Sequence, residues 1–135
     1  LIIDGLVTSN GEKPPPDPSG CGYLGSGGGG SGGGILVASP TMQGVGTLQA
    51  AGGAGGFAQN NDWAWAGGGG GGGRVKVFVT NFAGFDGSLQ ATEGAAGLCL
   101  PGDGNSNSWN GNPGATGTTH IDAIFPDELA SFSCN

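Results

Sequence analysis

Residues 25–39 read GSGGGGSGGGILVAS, a glycine run that passes directly into an apolar, strand-like run. Residues 67–81, GGGGGGGRVKVFVTN, make the same transition. In this second segment Val75, Val77 and Val79 recur with a period of two, which is typical of a β-strand. The fold therefore depends on what each glycine run does before its strand. The run can be a flexible linker, a phosphate-binding loop or a folded element.

Packing of several runs is the interpretation we favour. Ordering seven consecutive glycines costs about 7–14 kcal/mol of backbone entropy, whereas each hydrogen bond returns about 0.5–1.5 kcal/mol. One isolated run would stay flexible, but runs without side chains can pack as closely as collagen chains. Runs at 25–34, 52–56, 67–73 and 94–97 are separated by strands, so we predict packed polyglycine II helices. The predicted structural glycines are Gly27, Gly28, Gly29, Gly30, Gly67, Gly68, Gly69, Gly70, Gly71, Gly72 and Gly73.

A phosphate-binding loop fits the glycine runs poorly. The chain has no Gly-Lys-Ser/Thr, and a strand follows each long run where an anion site would need a helix N-terminus. Ser31 lies in a G-x-S-x-G match, but almost every position around it is glycine. The match therefore does not indicate a nucleophile.

Three segments recur at a spacing of 41 residues: GLVTSNGE from Gly5, GTLQAAGG from Gly46 and GSLQATEG from Gly87. Each alternates with a period of two, and further strands are predicted in ILVAS (35–39), VKVFVTNF (75–82) and HIDAIF (120–125). The one helix signal is short, in PDELASF near Pro126. We predict an all-β, solenoid- or sandwich-like fold with little or no α-helix, in which a unit of about 41 residues combines short strands with polyglycine II. Residues 1–135 form one domain, with units at about 1–24, 25–66 and 67–117 and a C-terminal strand and tail at 118–135.

The net charge of −7 limits the partners that the chain can bind. Lys13, Arg74 and Lys76 are the only basic residues, too few to neutralise a nucleic acid or to hold an anionic membrane surface. No apolar run approaches the roughly 20 residues that span a bilayer. The scarcity of lysine and the wealth of small polar residues favour a secreted or cell-surface protein. The start at Leu1 without an initiator Met is what we expect of a mature or trimmed product.

The pattern GGGSGGGI-x-V, G-x-G-x-L-x-A-x-GG-x-GG, GGGGGGGRV-x-V and F-x-G-x-L-x-A resembles the glycine-rich repeat modules of large secreted and cell-surface proteins. It is similar, more loosely, to the glycine-rich extracellular region of anaplastic lymphoma kinase and to the polyglycine-sandwich adhesins of phage tail fibres. The resemblance covers Leu1 to Ile124 and implies bundled polyglycine II helices beside short strands, with structural, adhesive or recognition roles. It implies no catalytic residue. The segment EKPPPDPSGCGY, the three cysteines and the tail FPDELASFSCN depart from the pattern.

Aromatic residues are the first candidates for an interface or ligand site. Trp63 and Trp65 lie on one face of an extended segment, and Trp109 lies in an Asn- and Ser-rich loop. Paired tryptophans stack on sugar rings, but they also cover glycine layers and are enriched at subunit interfaces. We favour burial or an interface over sugar binding.

Other candidate chemistry is sparse. We predict a disulfide between Cys99 and Cys134 and a spare or intermolecular Cys21; the cysteines lack the CxxC spacing of a zinc site. Asp103, Asn105 and Asn107 resemble the opening of a calcium loop, but Gly114 replaces the required acid at position 12. We therefore expect no metal and no cofactor, with calcium at these three residues as the alternative. His120 and Asp122 alternate onto one strand face, an arrangement better explained as ordinary strand residues than as part of a triad.

The sequence therefore favours a structural role over catalysis, and we expect no enzyme activity. The first hypothesis is a subunit of an extracellular filament or surface layer, with copies of the chain as its partners. The alternative is an adhesin or recognition module that binds a receptor or glycan. A more remote alternative is an ice-binding protein, although no regular threonine ladder is present.

Overall fold

The computed structural model describes residues 1–15, 25–59, 65–82, 84–100 and 109–124. These residues form an all-β structure without a helix, as predicted. The short helix predicted near Pro126 lies outside them. The strands of the described chain are β1 (Leu6–Thr8), β2 (Gly34–Thr41), β3 (Thr47–Gln49), β4 (Ala58–Gln59), β5 (Arg74–Asn81), β6 (Ser88–Gln90), β7 (Cys99–Leu100) and β8 (Thr118–Ala123).

The described strands pair in parallel and in three groups. Two three-stranded sheets have the orders β1-β3-β6 and β2-β5-β8, and β4 pairs with β7. Leu6 pairs with Thr47, and Thr47 pairs with Ser88. The hydroxyls of Thr47 and Ser88 lie 2.9 Å apart across a separation of 41 residues. Residues at the same position of successive segments therefore lie side by side in the sheet.

Side-chain alternation explains why these segments form strands. In β5, Val75, Val77 and Val79 are buried while Arg74 and Lys76 are exposed, the division that the period of two predicts. In β3, Leu48 is fully buried. Residues of β3 and β5 belong to one buried cluster, so the two three-stranded sheets share a core. Its buried members are Met42, Leu48, Ala50, Val75, Val77, Val79 and Phe85.

Glycine is required at the two turns that join these sheets. Gly44, between β2 and β3, has φ of 109°, and Gly84, between β5 and β6, has φ of 110°. Residues with a Cβ rarely adopt this region. The N–H of Gly44 donates to the carbonyl of Gly84 at 3.0 Å, so the turns stack on each other as the strands do.

Amide side chains form a ladder along the β1-β3-β6 sheet. Asn10 Nδ2 donates to Gln49 Oε1 at 2.8 Å, and Gln49 Nε2 donates to Gln90 Oε1 at 2.9 Å. Gln49 and Gln90 are paired in register, whereas Asn10 lies two residues beyond Thr8, the register partner of Gln49. Both bonds reinforce the pairing of the short strands.

Candidate functional site

Six extended segments without strand pairing lie beside the sheets, and we call them threads 1 to 6. They are residues 9–14, 25–33, 50–57, 66–73, 91–98 and 109–117. Threads 2 and 4 lead directly into β2 and β5, and thread 6 leads into β8. The glycine runs of the sequence lie in threads 2 to 5. They are part of the folded structure and not linkers between its parts.

Hydrogen bonds between the threads recur every third residue. In thread 4 one set of N–H groups, those of Gly67, Gly70 and Gly73, donates to Gly56, Gly53 and Ala50 of thread 3. The next set, those of Ala66, Gly69 and Gly72, donates to Trp109, Asn112 and Ala115 of thread 6. As the residue numbers of the donors rise along thread 4, the residue numbers of the acceptors fall in the first set and rise in the second. Thread 4 is therefore antiparallel to thread 3 and parallel to thread 6.

One chain of backbone hydrogen bonds crosses all six threads. Each N–H donates to the carbonyl of the next residue at 2.8–3.0 Å, in the order Gly114, Gly94, Gly70, Gly53, Gly30 and Glu12. Even-numbered threads form one row and odd-numbered threads the other, and the chain runs back and forth between the rows. Every link depends on the two rows lying close enough for backbone to touch backbone.

This close approach requires glycine inside the bundle. A Cβ on Gly70 would lie less than 3.0 Å from the Gly30 carbonyl oxygen, nearer than real Cβ atoms come. The same is true of Gly69 against the Gly94 carbonyl oxygen. Five of the predicted structural glycines differ, because a Cβ there would lie 3.0–3.6 Å from its nearest neighbour: Gly27, Gly28, Gly30, Gly68 and Gly71.

Trp65 and Trp109 stack at one end of threads 4 and 6. Their ring centroids are 5.5 Å apart with 10° between the planes, and the two residues form a parallel β-bridge. They are 44% and 46% exposed. Phe57 and Leu98 are also exposed at the corresponding ends of threads 3 and 5, and Lys13 Nζ lies 4.0 Å from the Phe57 ring centroid. Trp63 lies outside the described residues.

Cys99 lies beside this aromatic pair. Its thiol donates to the Trp109 carbonyl oxygen at 3.0 Å, and its N–H donates to Asn110 Oδ1 at 2.8 Å. Cys21 and Cys134 lie outside the described residues, so the Cys99–Cys134 disulfide stays a prediction.

A polar cluster lies on the outer surface of the β2-β5-β8 sheet. His120 Nε2 lies 2.6 Å from Asp122 Oδ1, and Lys76 Nζ lies 3.3 Å from Asp122 Oδ2. Desolvation raises the pKa of Asp122, but the hydrogen bonds from His120 and Lys76 and the electrostatic interaction with these two side chains together outweigh it and lower the pKa below its ordinary value. The predicted shared face of His120 and Asp122 is confirmed. All three side chains are substantially exposed, as in a surface ion pair.

A second acidic group joins threads 5 and 6. Thr116 Oγ1 donates to Glu93 Oε2 at 2.6 Å. This bond, followed by one from the backbone of Glu93 itself, lowers the pKa of the Glu93 carboxyl. Within the described ranges no group of three or more His, Cys, Asp or Glu side chains is placed to hold a metal ion. The calcium candidates Asp103, Asn105 and Asn107 lie outside those ranges.

A triplet pattern in the sequence marks the thread positions. Residues 51–57 read AGGAGGF, and in 109–117, WNGNPGATG, every third residue is glycine. The predicted fold rests on the length of the glycine runs and the spacing of 41 residues, and neither of these reveals this shorter period. The triplets separate positions that face a neighbouring thread from positions that face outward.

No protein-family model, no curated protein and no solved structure matches the chain. Across the parts of the chain that the structure describes, no helix is long and apolar enough to cross a membrane. What the chain does must therefore be inferred from the threads, the stacked tryptophans and the sheet edges.

Proposed function

We propose that this chain is an extracellular structural protein whose copies assemble into a filament or surface layer. The observation that carries the proposal is the hydrogen bonding of thread 4, which changes partner with a period of three residues. Polyglycine II has three residues per turn and no internal hydrogen bonds, so its amides bond to neighbouring helices with this period. We infer that the six threads are a polyglycine II bundle.

The strand register supports a repeated, solenoid-like architecture. Leu6, Thr47 and Ser88 pair in sequence, and the side-chain ladder of Asn10, Gln49 and Gln90 follows the same order. Each unit stacks its strands and threads on those of the unit before. Stacked units of this kind form rigid elongated modules, as in solenoid proteins.

Sheet edges supply a route to association. Leu6 in the edge strand β1 is 63% exposed, and Val7, in register with the buried Leu48, is 43% exposed. An apolar edge of this kind can accept a strand from another chain, because no strand among the described residues pairs with its outward N–H and C=O groups.

Electron microscopy of the purified protein, together with sedimentation velocity at increasing concentration, tests the proposal. We expect regular fibres or arrays and a sedimentation coefficient that rises with concentration. A chain that sediments as a monomer at every concentration and forms no ordered assembly would contradict a structural role through self-assembly.

The stacked pair of Trp65 and Trp109 favours a second candidate, recognition of a glycan or receptor. An exposed aromatic pair offers a flat apolar surface of the kind that sugar rings stack on, and tryptophan is enriched at protein interfaces. A glycan and cell-binding screen tests it, with Trp65→Ala as the variant and Leu98→Ala as the exposed control. Loss of binding in the first alone, with an unchanged melting temperature, is the result expected of a recognition module.

A further inference from the structure

The outward positions of threads 2 and 4 carry almost no side chains. They are Gly28, Ser31, Gly68 and Gly71, exposed or partly exposed, and we call them the glycine face. A Cβ on Gly28 or Gly71 would be 3.5 Å or 3.6 Å from its nearest neighbour, which is ordinary van der Waals contact. Packing within the chain therefore does not require glycine at these positions.

The opposite side of the bundle has side chains at the equivalent positions. There the outward residues of threads 3 and 5 include Ala51, Ala54 and Ala95. Ala54 follows Ala51 by three residues, and Ala95 follows Ala54 by the 41 residues that separate strands in register. The bundle therefore tolerates a Cβ at an outward position. On the side of the even-numbered threads, thread 6 carries Asn112 and Ala115 at the outward positions, so bare backbone is confined to threads 2 and 4. There it indicates a surface that another backbone approaches closely.

Backbone polar groups on the glycine face are available to such a partner. Among the hydrogen bonds between described residues, none uses the N–H of Gly68 or Gly71 or the carbonyl oxygen of Gly69 or Gly72. These groups recur with the same period of three that joins the threads to one another. A further extended chain laid along thread 4 would meet donors and acceptors in the pattern of the bundle itself.

The two ends of the stretch are chemically complementary. Trp65 and Arg74 continue the spacing of three on either side of Gly68 and Gly71, and both are exposed. Arg74 makes no ion pair with any described residue. When thread 4 lies antiparallel to the same thread of a second copy, Gly68 faces Gly71 and Trp65 faces Arg74 at both ends. A guanidinium over an indole ring is a favourable cation–π pair.

We propose that the glycine face is the surface on which a second copy of this chain docks, antiparallel and about a two-fold axis that crosses thread 4. This inference rests on the proposed self-association and adds a second contact between copies to the strand addition at the β1 edge. The face is self-complementary, as a two-fold interface must be. It joins the even-numbered rows of two bundles into one bundle of four rows.

End-to-end growth of the glycine bundle is blocked at thread 6. Thread 6 carries Pro113 at the position of Gly69 in thread 4, and Thr116 at the position of Gly72. A Cβ added at Gly69 would lie less than 3.0 Å from a carbonyl oxygen of the following thread. A further in-register unit would meet these side chains, and Pro113 has no N–H to donate to it. Glycine-to-glycine contact between copies is therefore confined to the side of the bundle.

The size of the glycine face sets the strength of the contact. Eight residues at about 3.1 Å each, across two threads spaced by about 4.8 Å, give roughly 240 Å² per copy. Two such faces bury less than the roughly 1,200–2,000 Å² of a stable interface. We therefore expect a weak, concentration-dependent dimer that the stacking of Trp65 on Arg74 orients.

Sedimentation equilibrium of the full chain from about 1 μM to about 1 mM tests the proposal. Gly71→Asn places on thread 4 the side chain that Asn112 already carries on thread 6, and Arg74→Gln removes the cation. We expect each to weaken dimerisation about tenfold or more without lowering the melting temperature. Ala95→Asn, at an exposed outward position of the opposite side, is the matched control and leaves dimerisation unchanged.

Amide exchange of the unmodified protein gives a second readout. The amides of Gly68 and Gly71 gain protection as the concentration rises, while the amide of Gly70 does not change. If the protein associates but Gly71→Asn and Arg74→Gln associate as tightly as the parent, the glycine face is not the interface and self-association stands. If the parent remains a monomer throughout, both proposals are overturned.

Discussion

Two neighbouring glycines of thread 4 provide the sharpest test of the bundle. Gly70 and Gly71 have the same neighbours in sequence and the same intrinsic preferences. A Cβ on Gly70 would overlap the Gly30 carbonyl oxygen, whereas a Cβ on Gly71 would be 3.6 Å from the nearest atom, the Ala115 carbonyl oxygen. The changes Gly70→Ala and Gly71→Ala therefore differ only in where the added methyl group lies.

The cost of Gly70→Ala follows from the hydrogen bonds that it disturbs. Restoring ordinary contact needs a shift of at least about 1.4 Å between threads. That shift breaks the bond from Gly70 N–H to Gly53 at 2.9 Å and the bond from Gly94 N–H to Gly70 at 2.8 Å. For each broken bond, an N–H and a C=O that stay buried without partners cost about 1–3 kcal/mol. The lower entropy of the unfolded alanine chain offsets about 0.4–1 kcal/mol. We expect a loss of about 2–5 kcal/mol.

Thermal and urea unfolding, each followed by circular dichroism, measure the difference. For a chain of this length about 1 kcal/mol shifts the melting temperature by about 3–4 °C, so Gly70→Ala lowers it by about 10 °C. Gly71→Ala keeps its hydrogen bonds and gains the entropic term, so its melting temperature stays the same or rises by a few degrees. If the two variants agree to within about 1 kcal/mol, thread 4 is not packed against its neighbours and the bundle is refuted.

Three further measurements address separate parts of the structure. In amide exchange of the dilute protein, Gly68 and Gly71 exchange rapidly while the other amides of thread 4 are protected; uniform rates along the run would contradict the threefold bonding. Thr116→Val removes the bond that lowers the pKa of Glu93, so the carboxyl titrates closer to its ordinary value of 4.5 in a carbon-detected NMR titration. The lowered pKa stabilises the fold at any pH above the pKa that Glu93 has in the unfolded chain, and this stabilisation is lost as the pH falls through the pKa of the folded chain. The variant lacks this contribution, so it also loses less stability in acid. Leu48→Ala empties a fully buried site and costs about 2–5 kcal/mol in urea unfolding, against less than about 0.5 kcal/mol for the exposed Leu6→Ala.

The strands were predictable because their information is local. Alternation alone places a strand at 75–82, and the structure has Arg74–Asn81; the apolar run at 35–39 lies within Gly34–Thr41. The spacing of Gly5, Gly46 and Gly87 predicted a recurring segment, and the structure pairs these segments in parallel. Each of these features can be recognised in the sequence, either from the polarity of the side chains or from the recurrence of the same residue types.

The roles of individual glycines were not predictable in the same way. Gly70 and Gly71 are identical letters in an unbroken run, yet one faces a carbonyl oxygen and the other faces outward. The sequence reveals which positions face outward only in threads that also contain residues other than glycine, as in AGGAGGF at 51–57. The stack of Trp65 on Trp109 was missed for a related reason. It joins residues of different units, whereas the predicted aromatic pair was Trp65 and its near neighbour Trp63.

The glycine threads and the sheets depend on each other for stability. Ordering thread 4 alone costs about 1–2 kcal/mol per residue, more than its hydrogen bonds return, and these threads bury almost no side chains that would supply the difference. The core between the sheets supplies it, because β2, β5 and β8 continue directly from threads 2, 4 and 6 and hold their ends in register. The backbone bonds in turn hold β5 beside β2 at Arg74, whose N–H donates to Gly33 at 2.9 Å. A cavity at Leu48 must therefore lower the protection of the Gly70 amide by as much as it lowers that of Val77, since neither half retains its structure without the other.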